Sequence, residues 1–237
     1  MKRFWTTAKS VPQTAGWTVT LDDKPVRIPG GATLTLPTEA MAAAVAAEWQ
    51  AAGGAVGGEM SYADLPLTRL AGTAQDRVAP ALEPVVLELS RYAESDLLCY
   101  RAEHPEALVR QQAERWQPWL DWAAERHQAR LLVTAGIIHV AQQPSALAAL
   151  AQAVAVHDAH RLAALGILVP SYGSLVLALA VADGQLTALE AHELATLDER
   201  HQASLWGWDH EAETRMARVA EDVAAAGRFL SLCEAAA

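Results

Sequence analysis

Cysteine is scarce in this chain: two in 237 residues, Cys99 and Cys233, far apart and in no C-x-x-C spacing. That pattern excludes a disulfide framework and points to free thiols in a reducing compartment. Long apolar runs are also missing. The most hydrophobic stretch, Ser174 to Ala182, is far short of the roughly 20 residues that span a bilayer. The start, Met1-Lys2-Arg3-Phe4-Trp5, is basic but leads into polar residues rather than an apolar signal core. Basic residues are outnumbered, 18 against 28 acidic, for a net charge of −10. Phosphate binding needs a basic footprint, so nucleic acid is not expected as the main partner.

Chemical signatures are equally sparse. The Gly-rich loop Gly53-Gly54-Ala55-Val56-Gly57-Gly58 lacks the Lys-Ser/Thr of a phosphate cradle and reads as a connector. Ser171-Tyr172-Gly173-Ser174 does not fit G-x-S-x-G, and a helix cap accounts for it better. His157 and His160 stand one helical turn apart, but no second ligand cluster completes a metal site, and His192-Glu193 lacks the second histidine of a zinc-protease helix. No cofactor and no metal are therefore expected. Carboxylate pairs such as Glu190/Glu193 and Asp198/Glu199 read as solvated helix faces rather than an acid–base pair.

What is present is alanine-rich apolar content, 52% hydrophobic against 19% charged, which favours helix and opposes disorder. Residues 16–38 form an exception. Trp17 to Leu21, Val26 to Ile28 and Thr33 to Leu36 alternate apolar and polar, with Asp22-Asp23-Lys24-Pro25 and Pro29-Gly30-Gly31 as turns. Thr38 then caps a helix whose Ala42, Val45, Ala46 and Trp49 share a face.

From Asp64, placed to cap the next segment, the pattern is almost wholly helical. Pro118 should kink or restart a helix begun near Pro105, and over Leu131 to Val140 a brief extended segment competes with helix. One helix is expected over Ser145–Leu165, one over Leu175–Val181 that is apolar all round and buried, one over Leu186–Trp206, and a last one capped by Asp209. The expected fold class is α+β: a small β-rich domain with one helix over residues 1–62, and a larger all-helical domain over 63–237.

The stretch from Leu197 to Gly207 combines two faces. Leu194, Leu197, His201 and Leu205 form a seam expected to pack inward; Asp198, Gln202 and Trp206 recur every four residues beside it, with Glu199 adjacent. Eight tryptophans are many for a chain of this size. Tryptophans beside acids and glutamines, without a nucleophile or cofactor loop, favour a binding protein over an enzyme.

An ordered set of short motifs resembles the F1-ATPase assembly chaperones that act on the α subunit, the mitochondrial F1 assembly factor 2 family and its bacterial relatives. The set comprises Arg3-Phe4-Trp5, Gly16-Trp17 through Leu36-Pro37-Thr38, Ala47-Glu48-Trp49-Gln50, and Met60 through Leu70 with Pro66-Leu67-Thr68. It continues with Tyr92, Ser95-Asp96 and Cys99-Tyr100, then Gln111-Gln112 with Trp116-Gln117-Pro118, and ends at Asp198-Glu199, Gln202 and Trp206-Gly207. His201 stands where the family more often carries an aromatic residue.

The resemblance implies a non-catalytic chaperone, a monomer when free, that keeps the unassembled F1-ATPase α subunit soluble until it pairs with β. It implies a bacterial cytoplasmic location, or the mitochondrial matrix in a eukaryote, although no transit peptide is visible. The partner-binding residues it suggests are Glu48, Trp49, Asp198, Glu199, Gln202 and Trp206. Trp49 and Trp206 are open between anchoring a partner and pinning a helix to the core. A hydrolase using carboxylates of the Glu190–Asp198 helix and an adaptor for another protein are the alternatives.

Overall fold

A computed structural model describes residues 1–234; the last three positions of the expected helical domain lie outside the described residues. Contacts divide the chain into two units. The first comprises Met1–Leu82, Asp158–Ala164 and the residues from Arg228 on; the second comprises Glu83–His157 and Leu165–Gly227.

The first unit is built on a three-stranded antiparallel sheet in the order β1 (Ala8–Gln13), β2 (Gly16–Leu21), β3 (Lys24–Pro25). In β2 Val19 and Leu21 are buried as the alternation predicts, but so is Thr18, whose hydroxyl donates to the Leu34 carbonyl at 2.7 Å. The turn after it places Asp22 and Asp23 both at positive φ, 45° and 69°, as a tight hairpin of this kind demands. The Asp22 carboxylate accepts from the backbone N–H groups of Thr6 and Thr7, each at 2.9 Å, and these bonds hold its pKa below the ordinary value. The remaining expected strands join by single bridges, Trp17 to Leu36 and Arg27 to Thr33. β1 was not visible in the alternation, because Pro12 and mostly half-exposed positions mark an edge strand.

Helix α1 (Glu39–Ala51) lies against this sheet and begins as expected, with the Met41 N–H donating to the Thr38 hydroxyl at 3.0 Å. Its C-terminal end is closed by Arg3, a buried cation without an acidic partner among the described residues. The Arg3 guanidinium donates to the carbonyls of Trp5 (3.1 Å), Thr6 (3.2 Å), Gln50 (2.8 Å), Ala52 (3.4 Å) and Gly54 (2.7 Å). Carbonyls left over at a helix C-terminus carry partial negative charge, which makes them a fitting seat for a cation. Helix α2 (Pro66–Thr73) follows, continued by a π turn over Ala74–Val78. Asp64 does not cap it: Asp64 closes a capping box with Ser61 around a 3-10 turn.

The second unit is helical, with one small departure from the all-helical expectation. β4 (Tyr100–Arg101) and β5 (Thr134–Ala135) pair in parallel, so only two residues of the expected extended segment are strand. Helix α3 (Leu82–Ser90) starts at the end of the first unit, and α4 (Glu106–Arg126) runs without a break through Pro118. The helix expected over 145–165 is two, α5 (Pro144–Ala155) and α6 (Ala159–Tyr172). Asp158 makes the division: its carboxylate accepts from the N–H groups of His160 (2.8 Å) and Arg161 (3.0 Å) and starts α6 afresh.

α7 (Leu175–Ala182) has every side chain buried, as its uniform hydrophobicity predicts. Its N-terminus is held by Ser174 and by Asp96, which is wholly buried. The Asp96 carboxylate accepts from Leu98 N–H (3.1 Å), the Ser174 hydroxyl (2.8 Å) and Val176 N–H (3.0 Å). Loss of hydration nevertheless dominates, and the Asp96 carboxyl is pushed up to about 6. The chain ends in α8 (Ala188–Ala195), α9 (Leu197–Trp206) and α10 (His210–Glu234). Among the described residues no helix is long and apolar enough to cross a membrane.

Candidate functional site

The helix expected over Leu186–Trp206 is interrupted at Thr196, whose backbone leaves the helical region at φ −101°, ψ 21°. Its hydroxyl donates back to the His192 carbonyl at 2.7 Å and accepts from Arg200 Nε at 3.0 Å. A side chain that satisfies the backbone in this way competes with helix continuation. Ahead of the break, Thr187 and Glu190 form a capping box that opens α8.

The first turn of α9 is tied down. Leu197 is buried, and the half-buried Asp198 carboxylate accepts from Gln112 Nε2 at 2.7 Å. Gln112 is itself buried in α4, its Oε1 accepting from Ala102 N–H at 2.7 Å and its main-chain carbonyl accepting from Arg101 at 2.6 Å. One turn along α4, the buried Trp116 donates its indole N–H to the Leu194 carbonyl at 2.9 Å. Asp198 is thus the end of a chain of bonds that fixes where α9 begins.

Beyond that turn α9 faces water. Glu199 and Gln202 are exposed, Trp206 is 80% exposed and Trp208, just after the helix, 43%. Leu205, expected on the inward seam, is 59% exposed, and His201 is half-buried. Leu197, His201 and Leu205 share one face of α9, and burial falls off along it from the first turn to the last. Gly207, at φ 82°, then turns the chain away after its N–H closes on the Ala203 carbonyl at 2.8 Å. The result is a short helical surface with carboxylate, amide and two large apolar groups side by side.

Glu48 and Trp49 belong to the first unit and are not brought to α9 within one unit. The half-buried Glu48 carboxylate caps α2, accepting from Leu67 N–H (2.6 Å), Thr68 N–H (2.9 Å) and the Thr68 hydroxyl (2.6 Å). Burial raises its pKa, against those bonds. Trp49 is 6% exposed, edge-on to Trp5 with ring centroids 5.1 Å apart, and its main-chain carbonyl accepts from Trp5 Nε1 at 3.2 Å. Of the two open tryptophans, Trp49 is a core residue and Trp206 a surface one.

The other chemical candidates have structural employment. Glu190 is engaged in its capping box and Asp198 with Gln112, which leaves no free pair of converging carboxylates from these two. Burial pushes the Cys99 thiol up to about 12, with the Asp96 charge acting in the same direction, so it is not a nucleophile near neutrality. Burial likewise holds His192 below the ordinary imidazole range, with the Arg200 charge adding to it. Among the described residues no three His, Cys, Asp or Glu side chains form a metal-binding group.

The 131–140 stretch also exposes large apolar side chains. The segment between β5 and α5 carries Ile137 and Ile138 at 98% and 75% exposure. The signal was an apolar run with neither period, interrupted by Gly136.

A model of the ATP12 chaperone protein family matches residues 2–124 of the chain. The crystal structure of Atp12 from Paracoccus denitrificans is similar to it at 44% identity and a TM-score of 0.92, covering 98% of this chain and 97% of that one. A point mutant of the same Paracoccus protein matches equally well. Atu1473, a chaperone candidate from Agrobacterium tumefaciens, is 38% identical with a TM-score of 0.93, covering 98% of this chain and 86% of that one.

Proposed function

The chain belongs to the ATP12 chaperone family, and from that premise we propose that it serves assembly of the F1 sector of ATP synthase by binding the unassembled α subunit. An unassembled subunit exposes an interface patch large enough to aggregate. A chaperone must cover that patch and then yield it to β. A small surface that mixes aromatic, amide and carboxylate groups suits moderate, reversible affinity better than a deep apolar groove.

The observation that carries this reading is the exposure of Trp206 at 80% beside Glu199 and Gln202, on a helix whose first turn is fixed by Gln112 and Asp198. A large indole left in water on a rigid support is a typical interface anchor. In this account Trp206 is the anchor, and Glu199 and Gln202 meet basic and polar groups of the client. Asp198 sets the position of the helix. Glu48 and Trp49 hold α1 and α2 in place within the first unit.

Co-expression with the α subunit is the test. The chain should raise the soluble yield of α several-fold, and Trp206→Ala or Glu199→Lys should remove most of that gain. An unchanged yield of soluble α in the presence of the unmodified chain contradicts the proposal.

A further inference from the structure

A cleft of about 400 Å³ opens in the first unit between the Arg27–Pro29 segment and the outer side of α2. Its lining is unlike the rest of this acidic chain. Arg27, Arg69 and Arg77 converge on it with a single acid, Asp76. All three arginines are exposed and none makes an ion pair among the described residues; Arg27 donates only to the Gly31 carbonyl, at 2.7 Å. The cleft also has apolar lining, from Ile28, Gly72 and the indole of Trp49. Trp49 Nε1 is buried and has no hydrogen-bond partner among the described residues.

Two further details bear on the occupant. Asp76 and Arg77 sit in the π turn over Ala74–Val78, an irregularity frequently found at functional sites. The N-terminus of α2 is taken by the Glu48 carboxylate, so positive charge here comes from side chains and not from a phosphate-binding helix end. Arg69 lies in α2 and Arg77 eight residues on in the π turn, so the two side chains are rooted on the order of 10 Å apart along the helix. An extended peptide rises about 3.3 Å per residue, so a segment of about four residues matches that spacing.

We propose that this cleft docks an extended acidic segment of a protein partner, with carboxylates paired to Arg27, Arg69 and Arg77 and one apolar side chain set against Ile28 and Trp49. The site uses none of the α9 residues. Failure here leaves client binding through α9 standing, and the reverse also holds.

A fluorescein-labelled peptide of sequence Asp-Leu-Asp-Phe-Asp, titrated against the full chain and followed by fluorescence polarisation, tests the assignment. Saturable binding is expected, at least tenfold weaker when every Asp of the peptide is replaced by Asn. The double variant Arg69→Gln/Arg77→Gln should lose at least tenfold in affinity, while Arg110→Gln, on exposed α4 surface, changes it less than twofold. If the double variant has a lowered unfolding midpoint, Arg27→Gln alone carries the test, with at least a threefold loss expected. In 1H–15N spectra the Trp49 indole signal, identified by its loss in Trp49→Phe, should move as the peptide is added.

Absence of saturable binding overturns the proposal, as does an equal loss in Arg110→Gln. Displacement of the peptide by an equal concentration of inorganic pyrophosphate overturns it too, because it marks a site for compact anions.

Discussion

Two acid–tryptophan pairs, Glu48 with Trp49 and Glu199 with Trp206, use the same chemistry in opposite ways. Glu48 spends its carboxylate on three donors at the start of α2, and Trp49 leaves 6% of its surface in water. Glu199 is exposed, and Trp206 is 80% exposed on the helix that carries it. Residue type does not distinguish the pairs; the backbone around them does. α1 lies against a sheet and is followed closely by a helix whose N-terminal N–H groups need an acceptor. α9 is tied to α4 at its first turn by Asp198 and ends at a glycine that turns the chain away.

The largest effect should come from breaking the buried member. Trp49→Ala removes a core indole and leaves a cavity, which lowers unfolding free energy by about 3–5 kcal/mol in chemical denaturation. Trp206→Ala should stay within about 0.5 kcal/mol in the same assay. Similar losses for the two variants would erase the distinction.

The next sharpens the contrast between buried and exposed acids. Asp96 is raised from 3.8 to about 6, so between those values the folded chain holds a proton that the unfolded chain releases. Its contribution is fully present below pH 3.8 and is lost as pH rises through about 6, a change of roughly 3 kcal/mol by linkage. His127, His160 and His192 are held below their ordinary value, and their contributions run the other way, lost as pH falls through the lowered pKa. The quantity to measure is therefore the stability difference between the unmodified chain and Asp96→Asn. It should shift toward the variant by about 2 kcal/mol between pH 4 and 7. A constant difference would mean Asp96 stays ionised throughout.

The smallest stability effect separates the two glutamates. Glu48→Ala deprives α2 of its cap and should destabilise by about 1–2 kcal/mol. Glu199→Ala should leave the thermal midpoint unchanged, since its side chain makes no bond among the described residues.

These contrasts also mark what could be read without coordinates. The Thr38 cap and the uniformly buried α7 follow from local patterns, and each is present. The ordered motifs carried the family, because they recur along nearly the whole chain. The side of α9 that meets water was only half legible. Asp198 and Leu205 look equivalent to their neighbours in a helical projection. Yet Gln112, 86 residues away, claims the first, and the second stands two turns beyond the buried Leu197 on the same face, at the exposed end of α9. The buried Arg3 was invisible for a similar reason: its partners are five carbonyls, which no residue pattern records.

The central claim is that Trp206 anchors the client and does not support the fold. Purified α subunit binding to the unmodified chain and to Trp206→Ala, with the unfolding midpoint of each recorded, tests it most directly. The account predicts at least a thirtyfold loss of affinity, about 2 kcal/mol, at an unchanged midpoint. Undiminished binding, or a loss matched by a fall in the midpoint, would contradict it.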